Sequence, residues 1–322
     1  MVIFRPVPVD IMQIGEQSAV DFFISRDGRL EPFLEKGEIV SGGHLAILRR
    51  DRVDKIYYRA SEAQAFEKYL HSFLERILSD PAVPSKVKAA TLYESSVSSF
   101  KKVFNNPNPE QIEEIKKILK PLFKHIVENT ILLHDLLSIT EHDFSTYVHS
   151  VNVGIMATSL AINFSKSYEY IEMDELERQC YGFFLHDIGK AKVPIEILRK
   201  EGALNDEEWN IMKKHPEWGY TILMETGHLT DEAAYISMQH HERPDGTGYP
   251  FGLSDIHPCA RICTIADIFD ALTSHRPYKR ALKAFDALEL MKKEISTEFD
   301  NCLINTFITM LGPKNSPAYV EH

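Results

Sequence analysis

The chain has 322 residues, 44% of them hydrophobic, and a formal net charge of −11. That is enough apolar material for one large or two modest domains with a sizeable core. The acidic balance argues against a protein that coats polymeric nucleic acid through a broad basic surface. No segment approaches the roughly 18 to 20 uninterrupted apolar residues needed to cross a bilayer.

The first 60 or so residues read as β-rich. Val20-Asp21-Phe22-Phe23-Ile24 is followed by the turn signal Asp27-Gly28 and then Leu30, which predicts a hairpin. Val53 to Tyr58 reads as a further strand. Ser61 with Gln64 three positions on has the form of a capping box, opening a helix that carries Phe66, Tyr69, Leu70 and Phe73 at helical spacing. The opening residues lack a basic region followed by an apolar run, so no secretory signal is expected. Cys180, Cys259, Cys263 and Cys302 form no CxxC pair and read as buried thiols, in keeping with a reducing cytoplasm. Residues 1–104 carry no recognisable chemistry and are expected to form a small α+β domain, either regulatory or partner-binding, or inert support.

Asn105-Asn106-Pro107-Asn108-Pro109 is the clearest break in the chain. Glu110 to Leu137 then reads as helix, which Pro121 should kink or split; residues 105–139 are expected to be a helical linker. From Thr140 onward almost everything reads as helix, apart from a Gly- and Pro-rich loop from Arg243 to Pro250.

The chemistry gathers in this second part. His186-Asp187 ends an apolar run and is followed at once by Ile188-Gly189-Lys190. An adjacent imidazole and carboxylate can hold one metal ion together, and the carboxylate can bridge to another. His149 lies upstream; His215, His240-His241 and Asp267 lie downstream. Taken singly, His149 is best read as a core histidine and His215 as a surface one. His240-His241 is harder to assign to packing. Asp267 sits in an apolar helix, where a carboxylate must be paired or ligated; Asp270, three residues on, is the alternative ligand. The pairs His134-Asp135 and His142-Asp143 read as structural. A mixed histidine and carboxylate set with a bridging carboxylate suits Fe or Mn. Two such ions roughly 3.5 to 4 Å apart can clamp a phosphoryl oxygen and acidify a shared water.

The ordered series His149-Ser150, His186-Asp187-Ile188-Gly189-Lys190, His215-Pro216 and His240-His241-Glu242-Arg243-Pro244-Asp245-Gly246-Thr247-Gly248-Tyr249-Pro250 closely resembles the HD-GYP domain. So does Asp267 in Ala266 to Thr273, with Arg276-Pro277-Tyr278-Lys279 after it. The resemblance runs from about Thr140 to about Leu311. It implies a mainly α chain, with a C-terminal helical HD-GYP-type bundle over residues 140–322, and hydrolysis of cyclic di-GMP. By resemblance, His149, His186, Asp187 and Asp267 hold one divalent metal. Asp187 bridges to a second, held also by His215, His240 and His241. Lys190 contacts the scissile phosphate, Tyr249 lines the pocket, and Arg276 and Lys279 bind phosphates. Some members have a glutamate four residues before the first ligand histidine, which builds a third metal site. Here that position is Ser145, so two metals are expected, and pGpG as product.

The expected reaction is in-line attack of a metal-bridged hydroxide on phosphorus, with Asp187 and Lys190 as catalytic residues. Three alternatives stand beside it: a non-hydrolytic cyclic di-GMP sensor, a module docking on diguanylate cyclases through the Gly-Tyr-Pro loop, and an HD hydrolase of another cyclic dinucleotide. No membrane partner is expected, an oligomer is left open, and the location is expected to be cytoplasmic.

Overall fold

A computed structural model describes residues 3–26, 28–81, 83–128, 136, 145–168, 170–200, 202–227, 229–274, 281–294 and 298–312. The chain divides into two compact units, Met1–Ser98 with Ile131–Ile139, and Ser99–Thr130 with Thr140–His322.

In the first unit, β1 (Phe4–Pro8), β2 (Phe22–Arg26), β3 (Arg29–Leu34) and β4 (Lys55–Arg59) form one antiparallel sheet in the order β1-β4-β2-β3. The hairpin expected around Gly28 is β2–β3. A helix, α1 (Gly42–Arg50), interrupts the β-rich stretch. Its cap escapes the usual signature because His44 replaces the Glu or Gln of a capping box. The Ser41 hydroxyl accepts from the His44 amide, and His44 Nδ1 accepts from the Ser41 amide at 3.1 Å. The helix α2 (Ala63–Ser79) starts differently from expectation. Ser61 lies inside a 3₁₀ turn, Ala60–Glu62, that runs into the helix, so it is not the cap. Val7, Ile24, Leu34, Ile56, Tyr58 and Phe66 make the core, with the Tyr58 and Phe66 rings stacked at 4.4 Å.

Two long helices follow, α3 (Ser85–Asn105) and α4 (Pro109–Glu128), separated at the Asn- and Pro-rich break. Pro109 opens α4, where its missing amide costs nothing. Pro121 does not split α4. Ile112, Ile115 and Ile118 before it, and Leu122, Phe123 and Ile126 after it, are all buried. Their burial on both sides outweighs the one hydrogen bond that proline removes. Helix α4 packs on the helices Thr146–Tyr168 and Met173–Leu185, so it belongs to the core of the second unit. Beyond Glu128 the expected helix lies outside the described residues, apart from Leu136. His134-Asp135 and His142-Asp143 also lie outside them.

The second unit is helical: α5 (Thr146–Tyr168), α6 (Met173–Leu185), a 3₁₀ turn (Ile188–Lys192), α7 (Ile195–Leu198), α8 (Asp206–Met212), α9 (His215–Thr226), α10 (Asp231–Gln239), α11 (Pro258–Thr273), α12 (Ala284–Glu294) and α13 (Glu298–Leu311). α5 is apolar on every side, the pattern of a helix at the centre of a bundle. From Val148 to Ser165 nearly every residue is buried, against α4, α6, α11 and α13. Among the described residues no helix is long and apolar enough to cross a membrane.

Candidate metal centre

Helix ends bring the chemistry together. His186 caps the C-terminus of α6 and Asp187 leads into the 3₁₀ turn; His215 opens α9; His240 and His241 follow α10. His149 lies near the start of α5, and Asp267 and Asp270 lie on α11. Close backbone approach fixes this meeting. A Cβ on Gly189 would lie 1.9 Å from the His215 carbonyl oxygen, so only glycine lets the turn press against α9. Ser237 on α10 donates to the His186 carbonyl at 2.7 Å, tying α10 to the end of α6.

Asp187 is the hub. Its Oδ1 lies 3.2 Å from His215 Nε2 and 3.8 Å from His240 Nε2. Its Oδ2 lies 3.6 Å from both His149 Nε2 and His186 Nε2, and accepts from Lys190 Nζ. Asp187, His215, His240 and His241 form one group whose nitrogen and oxygen atoms lie within 4.8 Å of one another; His149, His186 and Asp187 form a second. Asp267 joins them, 3.1 Å from His149 Nε2 and 4.0 Å from His241 Nδ1.

The tautomers can be deduced from the backbone. Nδ1 of His186, His215 and His240 faces the carbonyl three residues earlier, at Phe183, Met212 and Ser237, at 2.8 to 2.9 Å. A carbonyl only accepts, so each Nδ1 must donate. In the neutral ring each Nε2 then carries a lone pair, and these lone pairs point at a carboxylate and at one another. His215 Nε2 and His240 Nε2 are 3.3 Å apart. Among the described residues, His186 Nε2 and Asp187 Oδ1 are buried with no hydrogen-bond partner. Acceptors facing acceptors in a buried site are costly. Divalent cations would resolve the conflict, and imidazole nitrogens with carboxylate oxygens are fitting donors for them. The cluster is therefore a divalent-metal site by its donor chemistry.

Electrostatics divide the side chains of the cluster. Burial, together with neighbouring histidines, pushes His240 well below the ordinary histidine range and His241 down to about 3; burial also lowers His186. These rings stay neutral at physiological pH. His149 goes the other way. Burial opposes its charge, but Asp267 and Asp270 outweigh burial and raise it to about 10. Asp187 stays well below the usual carboxylate range despite burial, because Lys190, His186 and His215 surround it. Asp267 is likewise held low, chiefly by His149 against the cost of burial.

Asp270, the alternative ligand, serves a different purpose here. Its Oδ2 lies 2.7 Å from His149 Nδ1, while its Oδ1 accepts from Asn152 Nδ2 at 3.0 Å. It orients the far side of the His149 ring, leaving Nε2 for the centre. Sequence reasoning passed over Asn152; the only signal was a polar residue one turn after His149 on an apolar helix. Ser145 sits next to the cluster in sequence, with its hydroxyl buried and without a partner among the described residues.

The Gly-Tyr-Pro loop closes one side. The Tyr249 ring stacks on His241 at 4.6 Å, and Trp209 meets Tyr249 edge-on at 6.1 Å. Burial and the charges of Asp267 and Asp187 push the Tyr249 phenol upward, so it stays protonated. The loop is more than turn chemistry. The buried Glu242 accepts from the amides of Phe251 and Leu253 at 2.7 and 2.9 Å. Gly246 does adopt a positive φ of 75°, but Gly248 is needed for another reason: a Cβ there would lie 2.4 Å from the Arg243 nitrogen. Arg276 and Lys279, expected to bind phosphates, lie outside the described residues. The four cysteines are free, and Cys180, Cys259 and Cys263 are buried.

Comparison with known proteins agrees with this geometry. The family model described as HD domain matches residues 160–303. The cyclic di-GMP phosphodiesterase PA4108 of Pseudomonas aeruginosa is 36% identical over 184 residues, covering 56% of this chain and 42% of that one. The 3′3′-cGAMP-specific phosphodiesterase 2 of Vibrio cholerae is 48% identical over 98 residues, 30% of this chain and 19% of that one. The chain thus spans less than half the length of these curated relatives. Among solved structures, Bd1817, an HDG"Y"P protein from Bdellovibrio bacteriovorus, superposes with a TM-score of 0.67 at 21% identity, over 96% of this chain and 99% of that one. That likeness shows a shared fold. Residues 160–303 thus match an HD domain, and His186, Asp187, His215, His240, His241 and the Gly-Tyr-Pro loop all lie within that stretch.

Proposed function

We propose that this chain is a metal-dependent phosphodiesterase that opens a 3′–5′ phosphodiester of cyclic di-GMP to give pGpG. The observation that carries the reading is the buried meeting of unpaired acceptors around Asp187: an orphaned carboxylate oxygen, an orphaned imidazole nitrogen and two further lone pairs aimed at the same point. His149, His186, Asp187 and Asp267 would hold one cation, and His215, His240 and His241 a second, with Asp187 contributing to both. Iron or manganese suits this donor set. Bound there, the pair supplies Lewis-acid polarisation of the phosphoryl group and activation of water.

The rest falls to the chain's own residues. Lys190 neutralises Asp187 in the metal-free cluster. With cations at the cluster, Lys190 would be free to offer its ammonium to a non-bridging phosphate oxygen, where charge builds as the bond breaks. With a cation at Nε2, His149 would be neutral, its Nε2 proton lost to solvent and its Nδ1 proton kept against Asp270. Tyr249 walls the site on the His241 side and excludes water there. Arg276 and Lys279 are proposed to hold the second phosphate. Residues 1–104 are proposed to regulate this activity or bind a partner, and the Gly-Tyr-Pro loop to offer a docking point for diguanylate cyclases, in a cytoplasmic setting.

A second reading has its own support. The similarity to a Vibrio cholerae relative named for 3′3′-cGAMP reaches 48% over an aligned stretch of 98 residues, so a mixed purine dinucleotide is the competing substrate. Protein loaded with ferrous iron or manganese without oxygen, then incubated with each dinucleotide, separates the readings. The proposal expects faster turnover of cyclic di-GMP, with pGpG accumulating. Faster turnover of 3′3′-cGAMP would reassign the substrate, and binding without product would make the chain a sensor.

A further inference from the structure

The short helix α8 calls for an explanation. It has seven residues, and none of them is buried. A helix of that length does not persist on intrinsic propensity, and here no buried face holds it. Its end is instead fixed by a full capping box: Asn205 Oδ1 accepts from the Glu208 amide, and Glu208 accepts from the Asn205 amide, both at 2.8 Å. Lys200 pins the same Glu208 carboxylate. What this device holds in place is Trp209, whose own amide donates to the Asn205 carbonyl at 2.8 Å.

Trp209 is 44% exposed, unusual for the largest apolar side chain. It is also aligned. From the centre outward the rings run His241, Tyr249, Trp209, the first pair stacked at 4.6 Å and the second edge-on at 6.1 Å. A staircase of rings thus rises from a proposed metal ligand to solvent, ending in a fixed indole. In a nucleotide the ribose holds the base several ångströms from its phosphate. A phosphate seated at the cluster therefore places its base out along this staircase. Every base has a π-face, and stacking on an aromatic side chain is the sequence-tolerant way to hold one.

We propose that Trp209 is a positioning residue whose indole stacks a purine base of the dinucleotide while its phosphate lies at the cluster. The inference rests on the phosphodiesterase reading above and adds the base subsite. It makes the base, as well as the phosphate, part of what the site recognises.

The test has two arms. In manganese-loaded protein, Trp209→Ala should raise KM for cyclic di-GMP about tenfold while kcat stays within about twofold; Trp209→Phe should recover most of the loss. The chain has two tryptophans, so Trp218→Phe leaves Trp209 as the only indole fluorophore. GMP should then quench its emission, and ribose 5-phosphate, which lacks the base, should not. An unchanged KM in Trp209→Ala, or equal responses to the two phosphates, would overturn the base subsite. Quenching by GMP in a protein that turns over no cyclic dinucleotide would keep the subsite and sink the hydrolytic reading instead.

Discussion

The two units treat charge in opposite ways. In the sheet unit, Arg26 pairs with Glu31 and Asp51, and Arg59 with Asp21, all opposite in sign and partly in water. Each local choice there agrees with the next, and the charges do little beyond holding the surface together. In the helical unit, imidazoles and carboxylates are buried with their lone pairs facing one another. Folding alone would select against that arrangement. Sequences that specify a fold are consistent across levels, and the places where they break local rules mark function. The contrast locates the function in the helical unit without appeal to resemblance.

Four substitutions and one titration can break or sharpen this contrast. Asp187→Ala should have the largest effect. With the shared carboxylate gone, elemental analysis should find both metals lost, and turnover should fall to background. Full metal content with full activity would erase the distinction between the units. Lys190→Ala should keep the metals while lowering kcat by about 10² to 10³, the usual cost of one lost group that stabilises charge in the transition state; an unchanged kcat would confine Lys190 to pairing with Asp187. Asp270→Asn should weaken metal affinity about 10- to 100-fold, because His149 loses its orienting partner; chelator competition measures this. Asp21→Ala, in the sheet unit, should shift unfolding free energy by no more than about 1 kcal/mol, as expected of a partly solvated pair, and leave metal content untouched.

The titration concerns His149. Its value of about 10 in the metal-free protein means it is charged at pH 8. Metal binding requires the neutral ring, so loading at pH 8 should release about one proton from this residue. His186, His240 and His241 are already neutral and should release none. Calorimetry in buffers of different ionisation heat should show the release, and His149→Gln should abolish it. The same shift governs stability. Because the folded value lies above the ordinary 6.5, the contribution of His149 to the metal-free fold is complete below about pH 6.5. It is lost as pH rises towards 10. The metal-loaded protein should lack that loss.

That these side chains meet was largely legible in the sequence, because donors suited to a metal are a matter of residue type. His186-Asp187, His240-His241 and an aspartate in an apolar helix stand out wherever they occur. The hairpin was legible for a similar reason, since Gly28 between two apolar runs has few other readings. What stayed hidden depends on three-dimensional neighbours. Asp270 looked like a ligand until its contacts with His149 and Asn152 showed it behind the ring. Gly248 reads in sequence only as part of a Gly- and Pro-rich loop, whereas its constraint is the Arg243 backbone. Pro121 signalled a kink or a split, and burial along α4 overrode the split. Trp209 went unread, because nothing in the sequence places it beside Tyr249.

The central claim is that Asp187 is shared by two cations at the meeting of α6, α9 and α10. Anomalous diffraction from crystals of the protein loaded without oxygen tests this most directly. The account predicts two peaks, one on each side of the Asp187 carboxylate, one near His149 and His186 and the other near His215, His240 and His241. A single peak that leaves Asp187 untouched, or none at all in protein that still hydrolyses cyclic di-GMP, would contradict it.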